Sequence, residues 1–246
     1  GGYRRIPVMQ IGADVYCDSV LICRELERRC PTPTLFPDGN PGLAHALAYW
    51  TDRSLFQAAV AVIFGSLGEH VAPEFIKDRE ALSGAPFDLA RMKAAIPHME
   101  SQLRGHIGLL AEQLADGRAF LGGDKPGLAD ANGFYNLWFI GNAFPSALPP
   151  LLSIGLVQGW YDRVRGIGHG VREAVSPQAA LEEARAANPA PSRVGEADGA
   201  LAGKTVSVFA EDYGRDPMTG TLVGSSDHHW SISRTDDAVG ELVVHV

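Results

Sequence analysis

The sequence predicts an α+β fold: a short strand-rich unit, a long all-helical region and a small β module at the end. Three observations carry this reading. Residues 6–19 read as strand, tight turn, strand and helix start. From residue 43 onward apolar residues recur at helical spacing through the middle of the chain. After residue 201 the pattern turns to strand-like alternation separated by turn formers. The expected divisions are residues 1–36, residues 37–187, a linker over 188–201 rich in Ala, Pro, Gly and Ser, and a β module over 202–246.

The first stretch is the most informative. Ile6-Pro7-Val8-Met9-Gln10-Ile11 is a short apolar strand, Gly12-Ala13-Asp14 a tight turn, and Val15-Tyr16-Cys17 a second strand. Pro7 has no N–H to give to a sheet, so it belongs at an edge. Asp18 and Ser19 then open an amphipathic helix running to about Arg29. The unpaired N–H groups of such a helix start attract carboxylates. Two readings fit these residues: an ordinary edge proline followed by an N-cap, or the two halves of a site for a small peptide-like molecule with a free carboxylate.

Cys30 to Pro41 is dense in proline and turn formers and reads as a linker. Leu43 to Leu67, with Trp50, Leu55, Phe56 and Phe64, is too apolar to be exposed on all sides. Leu89, Met92, Ile96, Met99, Leu103, Ile107, Leu110 and Leu114 then alternate spacings of three and four, the stripe of a core-facing helix. Pro97 should kink or divide it, and Asp116-Gly117 should end it. In Phe120-Leu121-Gly122 and the Gly127-Leu128-Ala129-Asp130 that follows, Asp130 stands at the acidic position of a capping box whose first residue is Gly127 instead of Ser or Thr. Asp130 is thus a folding residue whose loss should cost on the order of 1 kcal/mol. The helix it starts, Leu128 to about Ala143, should bury Phe134, Leu137, Trp138 and Ile140. Further helices are expected over 155–165, with Trp160 and Val164 inward, and over 179–187. In the tail, residues 205–209, 230–233 and 241–246 read as strands and residues 212–221 as turn.

The order of these elements, with Ile6-Pro7, Asp18-Ser19 and the Phe120–Asp130 motif at matching intervals, resembles the glutathione S-transferases over residues 1–187. The resemblance implies a partial thioredoxin-like unit, then an all-α glutathione-transferase C-terminal domain, with the β module outside the usual architecture. It implies that the Ile6–Pro7 peptide is cis, that Ile6 pairs through its backbone with the cysteinyl part of glutathione, and that Asp18 and Ser19 hold the γ-glutamyl end. Glutathione would be the co-substrate, a small apolar electrophile the partner in a cleft between domains, and a homodimer a candidate assembly. Trp50, Phe56 and Tyr135 are candidates for the wall facing that electrophile and equally for plain core. The chain opens Gly-Gly-Tyr-Arg-Arg and closes Val-Val-His-Val, so both ends read as cut. The family's strand-helix-strand unit, with its catalytic Ser, Tyr or Cys, is expected ahead of this point, so the catalytic residue is unknown. A non-catalytic binding or assembly module on the same fold, and a glutathione-dependent isomerase or dehalogenase, share every residue named.

Composition narrows the classes. The chain has 246 residues, 46% hydrophobic, with a formal charge of −8, which argues against a nucleic-acid partner. No apolar run reaches membrane-spanning length and no signal-peptide pattern opens the chain. Three cysteines, Cys17, Cys23 and Cys30, fit a reducing, cytoplasmic setting better than a disulfide scaffold. Cys17 precedes the glutamyl clamp, and its alternation within the strand favours burial over reactivity. His228, His229 and His245 lack metal-ligand spacing and read as exposed, and His98 and His106 read as solvated without partners. No metal site is expected.

Overall fold

Gly12, at φ +59°, lets the chain reverse between β1 (Val8–Ile11) and β2 (Asp14–Cys17), an antiparallel hairpin registered Val8 opposite Cys17 and Ile11 opposite Asp14. α1 (Ser19–Arg29) follows at once and packs Leu21 and Ile22 on Tyr16, Met9 and Ile11. The computed structural model describes residues 3–246. Its chain divides into two units, Gly1–Arg29 with Ala81–Ala85 and Arg172–Val246, and Cys30–Glu80 with Pro86–Val171.

In the first unit the tail supplies β3 (Thr205–Val208), β4 (Met218–Ser226), β5 (His229–Asp236) and β6 (Gly240–His245). These strands do not stand apart as a separate module. One six-stranded sheet runs β1-β2-β6-β5-β4-β3, in which β6 pairs parallel with β2 and the other neighbours are antiparallel. The reason is burial. Cys17, Met218 and Val244, with Tyr3, Val15 and Leu242 against them, make one apolar cluster that neither segment could cover alone. β4 falls where turn residues were expected. Its glycines disguise it: Gly220 stands where a Cβ would run into Ile232 and the Ser233 carbonyl, and the register shifts between Leu222 and Gly224. Helix Pro177–Ala186 belongs to this unit, its residue Ala180 accepting from Gln10 Nε2 at 2.8 Å and Glu183 from the Gly12 N–H at 3.0 Å.

The second unit is helical. It holds α2 (Pro41–Trp50), α3 (Phe56–Leu67), most of α4 (Pro73–Ser83), α5 (Leu89–Gln113), α6 (Leu128–Ala143), α7 (Leu148–Leu152) and α8 (Val157–Ile167); Pro177–Ala186 is then α9. The caps are local: Asn40 accepts from the Leu43 N–H and Asp88 from the Arg91 N–H. The expected stripe is buried in its C-terminal half, where Leu103, Ile107, Leu110 and Leu114 join Leu55, Ile63, Leu137, Ile140 and Trp160 in the core. α5 runs unbroken through Pro97. That residue lies on the exposed side, where the carbonyl it leaves without an amide partner can meet water. A Cβ at Gly65 would come within 2.8 Å of the Met92 carbonyl, so α3 and α5 meet at a glycine.

Two details depart from expectation. Trp138 is 44% exposed instead of inward, because the buried face of α6 runs Gly133, Asn136, Leu137 and Ile140. Between α2 and α3 the chain makes a π-helical turn, Thr51–Leu55. The Thr51 carbonyl there accepts from the Asn136 amide and the Tyr135 hydroxyl, both at 3.2 Å, instead of serving the helix alone.

Asp130 does more than cap. It is 1% exposed; one carboxylate oxygen accepts from the Gly127 N–H at 2.9 Å, and the other from the Leu121 N–H and the Trp160 indole, both at 2.8 Å. Gly127 has a positive reason to replace Ser or Thr. A Cβ there would lie 2.7 Å from Pro37 Cδ and 2.9 Å from the Leu35 carbonyl, which accepts from the Leu128 N–H.

Candidate functional site

The hairpin decides the geometry of the residues expected to bind glutathione. The ladder ends with Val8 opposite Cys17, so Ile6-Pro7, just ahead of Val8, and Asp18-Ser19, just after Cys17, flank the same end of the hairpin. Both pairs therefore gather at one end of the sheet, and among the described residues β1 is its outermost strand. The Ile6–Pro7 peptide is cis, the isomer the resemblance implies. Ile6 is 90% exposed, and Pro7, Asp18 and Ser19 are exposed as well. Ile6 lies just outside the β1 ladder, and an extended peptide can pair its own backbone with such a segment.

Asp18 adopts φ +79°, its carbonyl accepting from the Ile22 N–H at 3.0 Å and its carboxylate from the Val20 N–H at 2.8 Å. It is therefore the N-cap of α1, so one helix-start amide is already taken by the chain itself. Ser19, the first helical residue, stands at the same mouth. Tyr3 lies against Asp18; burial, with the charges of Asp18 and Cys17, pushes its phenol up to about 12. Cys17 is buried, and burial with the neighbouring Asp18 pushes its thiol up to about 11. This is an inert core thiol, as alternation implied. It forms part of the floor of a cavity of ≈ 240 Å³ on the sheet face away from α1, with Val8, Val15, Leu242 and Val244 around it.

On the α1 face of the sheet lies a polar seam that sequence reasoning missed. His245 Nε2 meets Asp14 Oδ1 at 2.8 Å, and His245 Nδ1 meets Ser231 Oγ at 2.9 Å. The Tyr16 ring stacks on His245 at 4.3 Å and its hydroxyl donates to Glu25 at 3.2 Å. Hydrogen bonds from Arg28, then Arg29, hold the Glu25 carboxyl down at about 2. The expectation that His245 is exposed is corrected: it is buried, because β6 lies between β2 and β5. A serine, a histidine and a carboxylate in line suggest a nucleophile, but Ser231 is 1% exposed and no substrate reaches it. The seam joins strands. Nothing local could have revealed it, since Asp14 and His245 lie at opposite ends of the chain.

Within the helical unit the three wall candidates have packing duties. Trp50 donates its indole N–H to His106 Nδ1 at 3.1 Å, so His106 is not the partnerless histidine expected. Phe56 stacks on Phe139 with centroids 6.1 Å apart, and the Tyr135 hydroxyl donates to Asp52 at 2.8 Å. Gly127 and Asp130 hold the start of α6. Among the described residues no group of three His, Cys, Asp or Glu side chains is placed to hold a metal ion, and no helix is long and apolar enough to cross a membrane.

Residues 58–164 match a family model described as a domain of unknown function, DUF7962. No curated protein sequence matches the chain. Among solved structures, a GST-like protein from Pseudomonas syringae is 31% identical, with a TM-score of 0.77, over 100% of this chain and 79% of its own. A glutathione S-transferase from Rhodospirillum rubrum F11 is 22% identical at a TM-score of 0.44, over 70% of this chain and 73% of its own. A glutathione S-transferase III in apo form is 18% identical at 0.46, over 74% and 73%. The latter two overlaps are too loose to carry an argument, whereas the first spans every element described, the C-terminal strands included. The two-unit arrangement of a sheet and a helical body, together with that full-length likeness, shows that this chain belongs to the glutathione S-transferase-like family.

Proposed function

We propose that the chain binds glutathione at the open end of the β1–β2 hairpin and uses it, as a co-substrate, to conjugate or transform a small apolar electrophile. The observation that carries this reading is that the ladder ends at Val8 opposite Cys17, leaving Ile6-Pro7 and Asp18-Ser19 at the same end of the hairpin, all four exposed. The cysteinyl backbone of glutathione would pair with Ile6 as an added strand. Its γ-glutamyl carboxylate would meet the Ser19 hydroxyl and the start of α1, where helix N–H groups favour an anion. The Asp18 carboxylate would face the adjoining ammonium group. Glutathione's thiol would be the nucleophile once it is deprotonated. Cys17 and Tyr3, both pushed upward, are poor groups for lowering that thiol's pKa.

A glutathione-binding or assembly module on the same fold that does no chemistry would use the same four residues. An isomerase or dehalogenase would use the same binding residues.

Titration calorimetry of the whole chain with reduced glutathione tests the binding. Ser19→Ala should weaken it about tenfold, the value of one hydrogen bond to a charged group. Equal affinities would remove Ser19 from the site. Conjugation of an aryl halide faster than the uncatalysed reaction would establish an enzyme.

A further inference from the structure

The segment just ahead of Ile6 is held by the far end of the chain. Between β3 and β4 lies the loop 209–217, with the sequence Phe-Ala-Glu-Asp-Tyr-Gly-Arg-Asp-Pro. Arg5 reaches into it. Its guanidinium bonds both oxygens of the Asp212 carboxylate, one of them at 3.4 Å, bonds the Tyr213 carbonyl, and lies over the Tyr213 ring at 4.0 Å. The Arg5 side chain is only 19% exposed in this grip. Burial works against both charges, yet the hydrogen bond and charge of Asp212 hold the guanidinium above its ordinary value, and those of Arg5 hold the Asp212 carboxyl below its own.

The loop is itself fixed. Gly214, at φ +61°, donates its N–H to the Leu82 carbonyl at 2.9 Å, and a Cβ there would meet Leu82 at 3.0 Å. Arg215 lies over the Phe209 ring at 5.1 Å, closing the loop on itself. Met218, the first residue of β4, is buried against Cys17 and Val244 beneath Tyr3. Ile6 and Pro7 therefore span two anchors: Arg5 in the loop on one side, and Val8 registered with Cys17 on the other.

We propose that Asp212 and Tyr213 are positioning residues for the glutathione site, gripping Arg5 so that the Ile6 backbone stands outward at the edge where the ligand pairs. This rests on the reading of Ile6, Pro7, Asp18 and Ser19 as that site. The C-terminal strands thus take part in ligand binding without touching the ligand: they set the edge that receives it. Backbone pairing needs the donor and acceptor held within a few tenths of an ångström of the right place, so a loosened Arg5 costs affinity even when the fold survives.

The test compares the whole chain with Asp212→Asn and Asp212→Glu, using reduced glutathione in calorimetry and hydrogen exchange of residues 4–9 in the free protein. The expected result is faster exchange there in Asp212→Asn, glutathione binding weakened about threefold or more, and recovery of both in Asp212→Glu. Unchanged exchange, or unchanged affinity in Asp212→Asn while the parent chain binds, overturns the positioning role and leaves the binding reading standing. If the parent chain does not bind glutathione, the reading of the site falls and this role with it. Should Asp212→Asn fail to fold, Tyr213→Leu, which removes the ring beneath the guanidinium but keeps the ion pair, carries the same comparison.

Discussion

His245 Nε2 stands 2.8 Å from Asp14 Oδ1, so the last strand of the chain is tied to the second by a buried polar contact. Its other ring nitrogen holds Ser231 on β5, and the second Asp14 oxygen accepts from the Ala190 N–H at 2.8 Å. One imidazole therefore joins three neighbouring strands at a place where water cannot replace it.

His245→Ala should lower the stability of the sheet unit by about 2–4 kcal/mol, because it leaves a buried carboxylate oxygen and a buried hydroxyl without partners. Urea denaturation followed by circular dichroism measures this. An unmoved midpoint would mean that the seam contributes nothing to holding β6 in place.

Asp130→Ala should cost about 3–5 kcal/mol, well above the effect of a lost cap, since two buried donors and the half-buried Gly127 N–H lose their acceptor at once. Asp130→Asn keeps the shape and one acceptor oxygen and should cost less. Thermal melting of the two variants settles the order; a loss near 1 kcal/mol for Asp130→Ala would show that the Leu121 and Trp160 bonds add little.

The Trp50–His106 bond makes stability depend on pH. The indole N–H can donate only to an unprotonated Nδ1, and burial lowers the His106 pKa from its ordinary 6.5. In the unfolded chain the ring takes its proton first as pH falls. The contribution is thus fully present above 6.5 and is lost as pH drops through 6.5 toward the lower folded value. The parent chain should lose more stability than His106→Gln between pH 8 and pH 5. Parallel losses would assign the acid sensitivity elsewhere.

The three thiols should separate by reactivity. Cys30 is exposed and Cys17 is buried with its thiol at about 11, so a disulfide reagent at pH 8 should label Cys30 first and Cys17 only on unfolding. Mass spectrometry of peptides from a timed reaction reads this directly, and early labelling of Cys17 would contradict its place in the core.

The legible parts of this chain are those whose cause lies within a few residues. Pro7, Gly12 and the alternation around them announce a hairpin, Asp18 announces a helix start, and the stripe from Leu89 to Leu114 announces a packed helix. Asp130 was readable as a cap because its partner amide at Gly127 is three residues away, but not as the acceptor for Trp160. Strand β4 was hidden by glycines that are there for close packing against β5. His106 and His245 looked idle because their partners, Trp50 and Asp14, are remote in sequence.

The sequence by itself determined the local elements, the family they belong to and the two short motifs expected to bind glutathione, because short-range sterics, capping and periodicity act within a turn or two of the chain. Only the tertiary structure decided that the tail strands complete the first sheet, that Arg5 is held by Asp212 and Tyr213, and that Ile6-Pro7 and Asp18-Ser19 flank the same end of the β1–β2 hairpin. Those outcomes depend on which apolar faces find each other, and that is a property of the whole folded chain.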